Sequence, residues 1–458
     1  MAATIDENVR PPGLIPRTFL GEPPALGYLS FTEAWERFSY YGMTALLVLY
    51  MSQQLLLPGH VEHVAGFAAF RATLESIFGP MSRLALASQV LGLYTGLVYF
   101  TPVLGGVAAD RWIGRRNAVV LGALLMSAGH IAMAFDVSFL AALALLIVGC
   151  GLLKGNISAQ VGELYAEADG PGRTRGFSIY SIGINVGAVT GPLGCGIVAQ
   201  YYGWHAGFGL AGLLMLLGLA TYLTGYRLLT QETPRSARRT APMTRAEWRA
   251  IAALIVAMAL TVPHSIAYYQ NTNINLVWID RYVNLDLGFF HIPVAWFASI
   301  DSFVSILVVA PLFALWRWQD GHGGEPNEIV KIATGAFIAS AANLILVAGI
   351  WGLKPVPAWV PLSYDILLGV AFLYYWPTLM ALVSRAAPQG LKSTLMGCAF
   401  LSLFVGNISL GWLGSFYEHM TPAQFWALHA AIAAAGGALA LLLNRPLMRV
   451  LEVPERLP

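Results

Sequence analysis

Long apolar stretches recur along the whole chain and are separated by short polar segments. They approach or exceed 20 residues, the length that an α-helix needs to cross the hydrocarbon core of a bilayer. The predicted spans are 27–55, 84–108, 116–137, 139–163, 174–201, 204–229, 248–280, 293–318, 328–351, 358–385, 391–417 and 422–445. The pattern therefore predicts an all-α polytopic membrane protein with 12 transmembrane helices.

A basic connector that contains proline, "TQETPRSARRTAPMTRAEWR", lies between the sixth and the seventh span and divides the chain into two six-helix halves. The predicted organisation is an N-terminal tail (1–26), an N-terminal bundle (27–230), a linker (231–247), a C-terminal bundle (248–446) and a C-terminal tail (447–458). The first tail is polar and proline-rich and lacks the apolar core of a signal peptide. It is therefore predicted to be a soluble tail.

The distribution of Lys and Arg predicts the orientation of the spans. If both termini lie in the cytoplasm, the inner segments hold twenty Lys and Arg, and the outer segments hold four, namely Arg71, Arg83, Arg281 and Lys354. This asymmetry follows the positive-inside rule. It predicts an integral protein of the cell (plasma or inner) membrane whose two termini are cytoplasmic. Arg37 and Lys154 remain unassigned because both lie within spans.

Composition excludes a soluble globular protein, because 57% of the residues are hydrophobic and only 11% are charged, whereas soluble proteins average about 25% charged residues. Cys150, Cys195 and Cys398 lie within apolar runs without disulfide or metal-ligand spacing and are predicted to be packing residues. An enzyme is disfavoured because no HExxH, GxSxG or glycine-rich phosphate loop occurs. A sensor is disfavoured because the polar segments leave no room for an added soluble domain. Neither a metal nor a cofactor is expected.

The first span contains "FTEAWERFSYYGMTALLVLY" (31–50), which places three charged residues where a membrane most strongly excludes them. The predicted intramembrane charges are Glu33, Glu36, Arg37, Lys154 and Asp301. Each costs at least ~2.5–3.5 kcal/mol to insert, and such groups normally face a cavity or a partner. One stripe of the first helix, about 60° wide, is predicted to face a wet central cavity, and it contains Glu33, Arg37, Tyr40 and Thr44.

These charges have two interpretations. Glu33 and Arg37 could form a structural pair that reaches the cytoplasmic interface, and Lys154 could be a lone lysine that does the same. Alternatively, two acids and two bases form a network in which each protonation leaves a cation unpaired, as a proton-coupled carrier requires. In this second interpretation Lys154, within "GCGLLKGNISAQVGELY", points into the cavity towards the acids of the first span.

Four motifs resemble those of the proton-dependent oligopeptide transporters, a branch of the major facilitator superfamily. "EAWERFSYYGM" (33–43) is similar to the ExxERFxYYG signature of that family, and "LLKGNISAQVGELY" is similar to its LLKPNxSxxVGxLY motif. "GFSIYSIGINVGAVTGPLGCG" (176–196) resembles its fifth-span pattern. "GGVAADRWIGRR" (105–116) resembles the loop motif between spans two and three of the wider superfamily. The resemblance is specific through residues 27–212 and diffuse in the second half.

The resemblance implies a major facilitator fold with 12 helices and import of di- and tripeptides by proton-coupled alternating access. It implies proton coupling by Glu33, Glu36, Arg37 and Lys154. It implies substrate contacts from Arg37, Tyr40, Tyr41, Tyr94, Lys154 and Asn185. It implies a cytoplasmic gate at Asp110 and Arg111. The expected partners are the peptide, protons and the lipid bilayer, with no nucleic acid, and the expected state is a monomer.

The sequence departs from the family pattern at four positions. Thr44 and Tyr269 replace the arginine and the acid that form an outer salt bridge in the family, so the outer gate must close by another route. Phe372 replaces the glutamate that receives the peptide amino terminus. Asp301 replaces an asparagine and is a candidate for the missing acid, as an amine anchor or as a second protonation site. Alternatively, it is a tolerated aspartate without either role.

Two further expectations concern the substrate and one histidine. The loss of the amine anchor at Phe372 leaves open a carrier of the same fold for a non-peptide carboxylate, an anion or a drug-like substrate. His264, in the seventh span, is expected to be a packed histidine and not a titrating group.

Overall fold

The computed structural model describes residues 19–166, 169–229, 243–352, 355–388 and 391–451. Within these ranges the chain forms fifteen α-helices. The first seven are α1 (Pro24–Tyr50), α2 (Phe67–Phe78), α3 (Arg83–Ala108), α4 (Arg115–Ala132), α5 (Phe139–Glu163), α6 (Gly170–Tyr202) and α7 (Trp204–Gly225). The others are α8 (Arg245–Leu260), α9 (Val262–Tyr268), α10 (Ile274–Tyr282), α11 (Ile300–Asp320), α12 (Glu328–Gly352), α13 (Trp359–Ala386), α14 (Lys392–Gly414) and α15 (Pro422–Leu451).

The helices match the predicted spans. Among the described residues, ten segments are long and apolar enough to cross a membrane. The two other segments that correspond to predicted spans are α1, which carries three charges, and α4, which has 18 residues and begins with two arginines. The structure is therefore consistent with the predicted 12 spans. The seventh span is interrupted, because α9 ends in a 3-10 turn (Tyr269–Thr272) and α10 begins after it.

Most of the predicted tails and linker lies outside the described residues. This applies to residues 1–18 of the N-terminal tail, to residues 230–242 around the linker and to residues 452–458 at the C-terminus. Of the described part, α1 begins at Pro24 and α15 continues to Leu451.

The bundle has two distinguishable ends. The end that carries α2, between α1 and α3, is called the α2 side, and the opposite end, where α7 ends and α8 begins, is called the linker side. On the α2 side, two short strands, β1 (Val283–Asn284) and β2 (Val356–Pro357), pair in parallel and connect the loops of the C-terminal half.

The membrane helices pack as two groups, α1 with α3 to α7 and α8 to α15 with one another, and the strongest packing between the groups is that of α3 against α14. The backbones meet at Gly92, where an added Cβ would lie 2.5 Å from the Asn407 carbonyl oxygen and 2.8 Å from the Gly411 Cα. Also between the two groups, Gln53 Nε2 donates to Asp280 Oδ2 at 2.8 Å. These contacts lie on the α2 side, so this end of the bundle is closed.

The cysteines have the environment expected of packing residues. Cys150 and Cys195 are buried, and all three are free thiols. Cys195 lies against α1, where a Cβ added to Gly42 would meet its Sγ at 2.5 Å.

A polar cluster joins three segments of the N-terminal half on the α2 side. The Asp136 carboxylate, before α5, lies 3.1 Å from His60 Nδ1 and 3.2 Å from His205 Nε2, at the start of α7. It also accepts a 2.5 Å hydrogen bond from the hydroxyl of Tyr50, which is buried at the end of α1. One carboxylate therefore holds together the ends of α1, α5 and α7.

Replacing Asp136 by asparagine is expected to destabilise the N-terminal half by about 1–3 kcal/mol, because hydrogen bonds to a charged group are stronger than neutral ones. Thermal unfolding of the detergent-solubilised protein measures the loss. Asp320→Asn, at the exposed end of α11, is the matched control. Equal melting temperatures for the two variants would show that the cluster adds no stability.

Candidate functional site

The charged residues of α1 form a compact buried cluster. Arg37 Nε lies 3.1 Å from Glu33 Oε1, and it also makes an ion pair with the Glu36 carboxylate. Glu33, Glu36 and Arg37 are 2%, 0% and 2% exposed. Arg37 follows the first helical residue by 13 positions, about 20 Å at 1.5 Å per residue. The three side chains therefore do not reach the interface, which argues against the purely interfacial pair.

The predicted wet face of α1 is wrong for this conformation, because Tyr40 and Thr44 are buried as well. Tyr40 is covered by Tyr94 of α3, whose ring centroid lies 6.4 Å away. On the adjacent face of α1, α6 approaches closely through its glycines at 183, 187 and 191, which are four residues apart. An added Cβ at Gly187 would lie 2.4 Å from the Ala34 carbonyl oxygen and 2.6 Å from Arg37 Cβ. Small residues at this spacing allow two membrane helices to touch along their backbones.

Tyrosines predicted to bind substrate surround this cluster. The Arg37 guanidinium lies over the Tyr40 ring, 5.4 Å from its centroid. The Tyr40 ring packs against Tyr41 at 5.1 Å and against Tyr94 of α3 at 6.4 Å. The structure therefore brings Tyr40, Tyr41 and Tyr94 together with Arg37, as the sequence predicted.

Lys154 does not form the predicted pair with the acids of α1. Its Nζ lies over the ring of Tyr99, 4.4 Å from the centroid, and 5.9 Å from that of Phe400 in α14. No carboxylate of the described residues lies within 4 Å of it. Since Arg37 already occupies the space between the two acids, the lysine is stabilised by aromatic faces instead. It is still close enough to act electrostatically on Glu36.

Asn185 is not brought to this cluster. It follows Gly183 by two residues, about 200° around α6, while Gly183 and Gly187 face α1. Its side chain therefore leaves the opposite side of the helix, where it is half-buried.

The C-terminal half contributes a second, acidic cluster. Asp301, at the start of α11, is buried and accepts a hydrogen bond from the Tyr268 hydroxyl, while its Oδ1 has no partner among the described residues. The Tyr268 ring stacks on Phe372 at 5.8 Å. Asp301 therefore lies behind Tyr268, and Phe372 offers an aromatic surface where the family has its amine anchor.

Asp365 is a functional candidate that the sequence reasoning missed. It is fully buried in α13, neither of its carboxylate oxygens has a partner among the described residues, and it lies within electrostatic range of Asp301. A signal for it exists in the sequence, because Asp365 is the one acid inside the predicted span 358–385.

Of the two predicted gate residues on the linker side, Asp110 forms an ion pair. Asp110 follows α3 in a π-helical turn and accepts a 3.3 Å hydrogen bond from Arg115 Nε, while Arg115 Nη2 lies 3.2 Å from the same carboxylate oxygen in an ion pair. Arg115 also pairs with Glu163 at the end of α5. Arg115 reaches both because the chain turns at Gly114, whose φ of 78° favours glycine. Arg115, which was not among the predicted gate residues, therefore joins the ends of three helices.

The two residues that replace the family salt bridge form neutral contacts. Thr44 Oγ1 donates within its own helix to the Tyr40 carbonyl at 2.7 Å, and the hydroxyls of Tyr269 and Tyr99 lie 3.4 Å apart. His264 is packed, as expected, with its ring 4.3 Å from that of Tyr375.

The chemistry available at the α1 cluster is proton binding next to a cation. A carboxylate that accepts a proton no longer attracts Arg37, so the guanidinium becomes available to another anion. The described residues contain no group of three His, Cys, Asp or Glu that could hold a metal ion.

Comparison with known proteins identifies the family of the chain. The family model of the POT family matches residues 116–245 and 237–427. The chain is 27% identical to a di-/tripeptide transporter of Lactococcus lactis subsp. cremoris, over 95% of this chain and 98% of the relative.

Solved structures resemble the whole chain. A crystal structure of peptide transporter POT in complex with sulfate has a TM-score of 0.82 and 26% identity, covering 96% of this chain and 98% of that one. A mutant of peptide transporter POT in complex with alafosfalin has a TM-score of 0.81 and 27% identity, with the same coverage. The fold is thus that of the major facilitator transporters, and the chain belongs to the POT family, the proton-dependent oligopeptide transporters.

Proposed function

We propose that the protein is a proton-coupled symporter that imports di- and tripeptides by alternating access. The observation that carries the proposal is Arg37, which lies in the membrane between two buried glutamates. Buried charges are costly and are retained where they serve an ion or substrate pathway. The peptide transporters among its relatives support the substrate class.

In this proposal Glu33 and Glu36 accept the transported proton. Protonation of either acid removes one of the two ion pairs of Arg37 and leaves the guanidinium free to bind the substrate carboxylate. Lys154 is the second candidate for that carboxylate, because an aromatic ring does not neutralise its charge. The hydroxyls of Tyr40, Tyr41 and Tyr94 would supply neutral donors to the peptide backbone.

We further propose that the linker side faces the cytoplasm. The excess of Lys and Arg on that side supports this orientation. In that orientation the structure is closed to the outside, because α3 and α14 pack together on the α2 side. The protein would act as a monomer in the plasma or inner membrane and would need no cofactor, since the proton gradient supplies the energy. Arg115, with Asp110 and Glu163, would hold the cytoplasmic ends of its helices, and Arg111 remains a further candidate of that gate.

A second candidate is a carrier of the same fold for a non-peptide carboxylate, an anion or a drug-like substrate. It is favoured by Phe372, which replaces the amine anchor, and by Asp301, which is buried behind Tyr268. A substrate without a free amine would need neither an amine anchor at position 372 nor an accessible carboxylate at Asp301. If the substrate is a peptide, Asp301 must become accessible to its amino group, and Asn185 must face the substrate in another conformation.

Uptake by the purified protein in liposomes tests the proposal. Under an inward proton gradient, a labelled dialanine peptide should accumulate, and a proton uncoupler should abolish the accumulation. Competition by dipeptides, single amino acids and simple anions then separates the two candidates. If the protein is shown to be folded but takes up no peptide, the result would contradict peptide transport and favour the carboxylate carrier.

A further inference from the structure

A buried hydrogen-bond network connects the two halves on the α2 side. It comprises Ser88 of α3, Asn273 before α10, Gln270 in the preceding 3-10 turn and His429 of α15, and each of these side chains is fully buried. Asn273 Nδ2 donates to Ser88 Oγ at 2.7 Å, and Ser88 Oγ donates to the Gly411 carbonyl at 3.1 Å. These two bonds cross from one half to the other.

The rest of the network lies within the C-terminal half and orients Asn273. Asn273 Nδ2 also donates to Gln270 Oε1 at 3.2 Å. Gln270 Nε2 lies 3.0 Å from His429 Nε2 and donates to the Leu410 carbonyl at 3.3 Å. His429 Nδ1 lies 2.9 Å from the Phe425 carbonyl oxygen. Because a carbonyl can only accept, Nδ1 carries the hydrogen and Nε2 is left to accept from Gln270.

Each donor hydrogen of the four side chains then has one acceptor. The ring of His429 fixes the Gln270 amide, the Gln270 oxygen fixes the Asn273 amide, and Asn273 is thereby aimed at Ser88. If His429 Nε2 could not accept a hydrogen bond, the Gln270 amide would no longer be held with its nitrogen towards His429 and its oxygen towards Asn273. Buried amides whose orientation is over-determined in this way cost free energy to turn.

We propose that the Ser88–Asn273 contact holds the outer side closed, in the place of the ion pair that Thr44 and Tyr269 have lost, and that His429, acting through Gln270, is a positioning residue for it. The proposal rests on the alternating access of the proposed function. When the outer side opens, α3 must leave α14, and Ser88 is the one member of the network that moves with the other half. Asn273, Gln270 and His429 move together.

The close backbone contact between α3 and α14 supports this role. A Cβ added to Gly414 would collide with the Ser88 side chain and would lie 3.2 Å from Asn273 Nδ2. Ser88 is therefore enclosed by glycine backbone on α14 and reaches Asn273 only while α3 and α14 touch.

The first test measures opening with a pair of spin labels, at Ala65 of the N-terminal half and Phe289 of the C-terminal half, both exposed on the α2 side. The native cysteines are replaced by alanine. Ser88→Ala should increase about tenfold the population of molecules with a long label separation. The closed state is destabilised, because in that state the Asn273 amide would be left buried without the acceptor that Ser88 Oγ provides. The control is Ser127→Ala, since buried Ser127 bonds only within α4, to the Ala123 carbonyl. Equal distance distributions for the two variants would overturn the proposal.

The second test separates positioning from simple packing by a double-mutant cycle. His429→Phe should increase opening in the parent but should add nothing in the Ser88→Ala background, because the two residues act through one contact. His429→Gln, which keeps an acceptor, should restore closure. His130→Phe is the control, because His130 is equally buried and neither ring nitrogen has a partner among the described residues. An effect of His429→Phe that is the same in both backgrounds would assign His429 a merely structural role.

Neither test requires transport. A failure of peptide uptake with the expected label distances would therefore contradict the substrate class and leave the closure intact. Label distances that do not respond to Ser88→Ala, in protein that accumulates peptide, would contradict the closure alone.

Discussion

Replacing Glu36 by glutamine is expected to abolish proton-driven accumulation while substrate exchange across the membrane is partly retained. Glutamine has the size of the glutamate but cannot take up and release a proton, so the gradient no longer performs work on the substrate. An inward gradient of one pH unit supplies about 1.4 kcal/mol per proton, which supports about tenfold accumulation at one proton per substrate. In the variant the internal concentration should not exceed the external one. Uptake and counterflow exchange in the same liposomes measure the two activities.

The control for this prediction is Glu75→Gln. Glu75 lies on α2, outside the membrane helices, and pairs with Arg71 at 2.9 Å. The Glu75→Gln variant should accumulate substrate as the parent protein does. If Glu36→Gln lost exchange together with accumulation, the ion pairs of Arg37 would be structural and the coupling role would be refuted. Glu33→Gln should resemble Glu36→Gln, since both acids bind the same guanidinium.

Replacing Gly187 by alanine is expected to destabilise the N-terminal half and to impair uptake. The added Cβ would lie 2.4 Å from the Ala34 carbonyl oxygen, 2.6 Å from Arg37 Cβ and 2.8 Å from the Phe38 nitrogen. Two of these three atoms are backbone, so the contact cannot be relieved by the rotation of a side chain, and α6 must move away from α1. Overpacking of this kind costs about 1–3 kcal/mol or more. Because Arg37 is displaced as well, proton-driven uptake should fall even where the protein remains folded.

Thermal unfolding in detergent and uptake in liposomes measure the two effects. Gly209→Ala is the control, because it adds the same methyl group to α7 with nothing within 4 Å of it. A Gly187→Ala protein as stable and as active as Gly209→Ala would show that α6 does not pack on α1 as closely as described.

The charge cluster of α1 can be identified from the amino-acid sequence. A helix of this hydrophobicity cannot carry Glu33, Glu36 and Arg37 without a compensating environment, so their presence implies a partner and a function. The spacing of four residues between Glu33 and Arg37 also predicts which side chains meet, because residues i and i+4 share a helix face. The same reasoning applies to Asp365, a lone acid within an apolar span.

Other features depend on residues that are distant in sequence. Glu163, at the end of α5, pairs with Arg115 although 48 positions separate them in sequence. Lys154 lies on Tyr99 and Phe400 because α3 and α14 meet beside α5. Local spacing contains no information on such contacts, and for this reason the expected pairing of Lys154 with the acids was not found.

By itself the sequence determined the class of protein, the two halves and the residues that no apolar helix would tolerate without a purpose, since hydrophobicity, helix period and the cost of a buried charge all act locally. Only the tertiary structure decided that the stripe of α1 is buried, that Asp301 lies behind Tyr268, and that Ser88 meets Asn273. Each of these depends on how closely two helices approach, which glycines permit but do not specify. The approach is fixed only when all the helices pack at once.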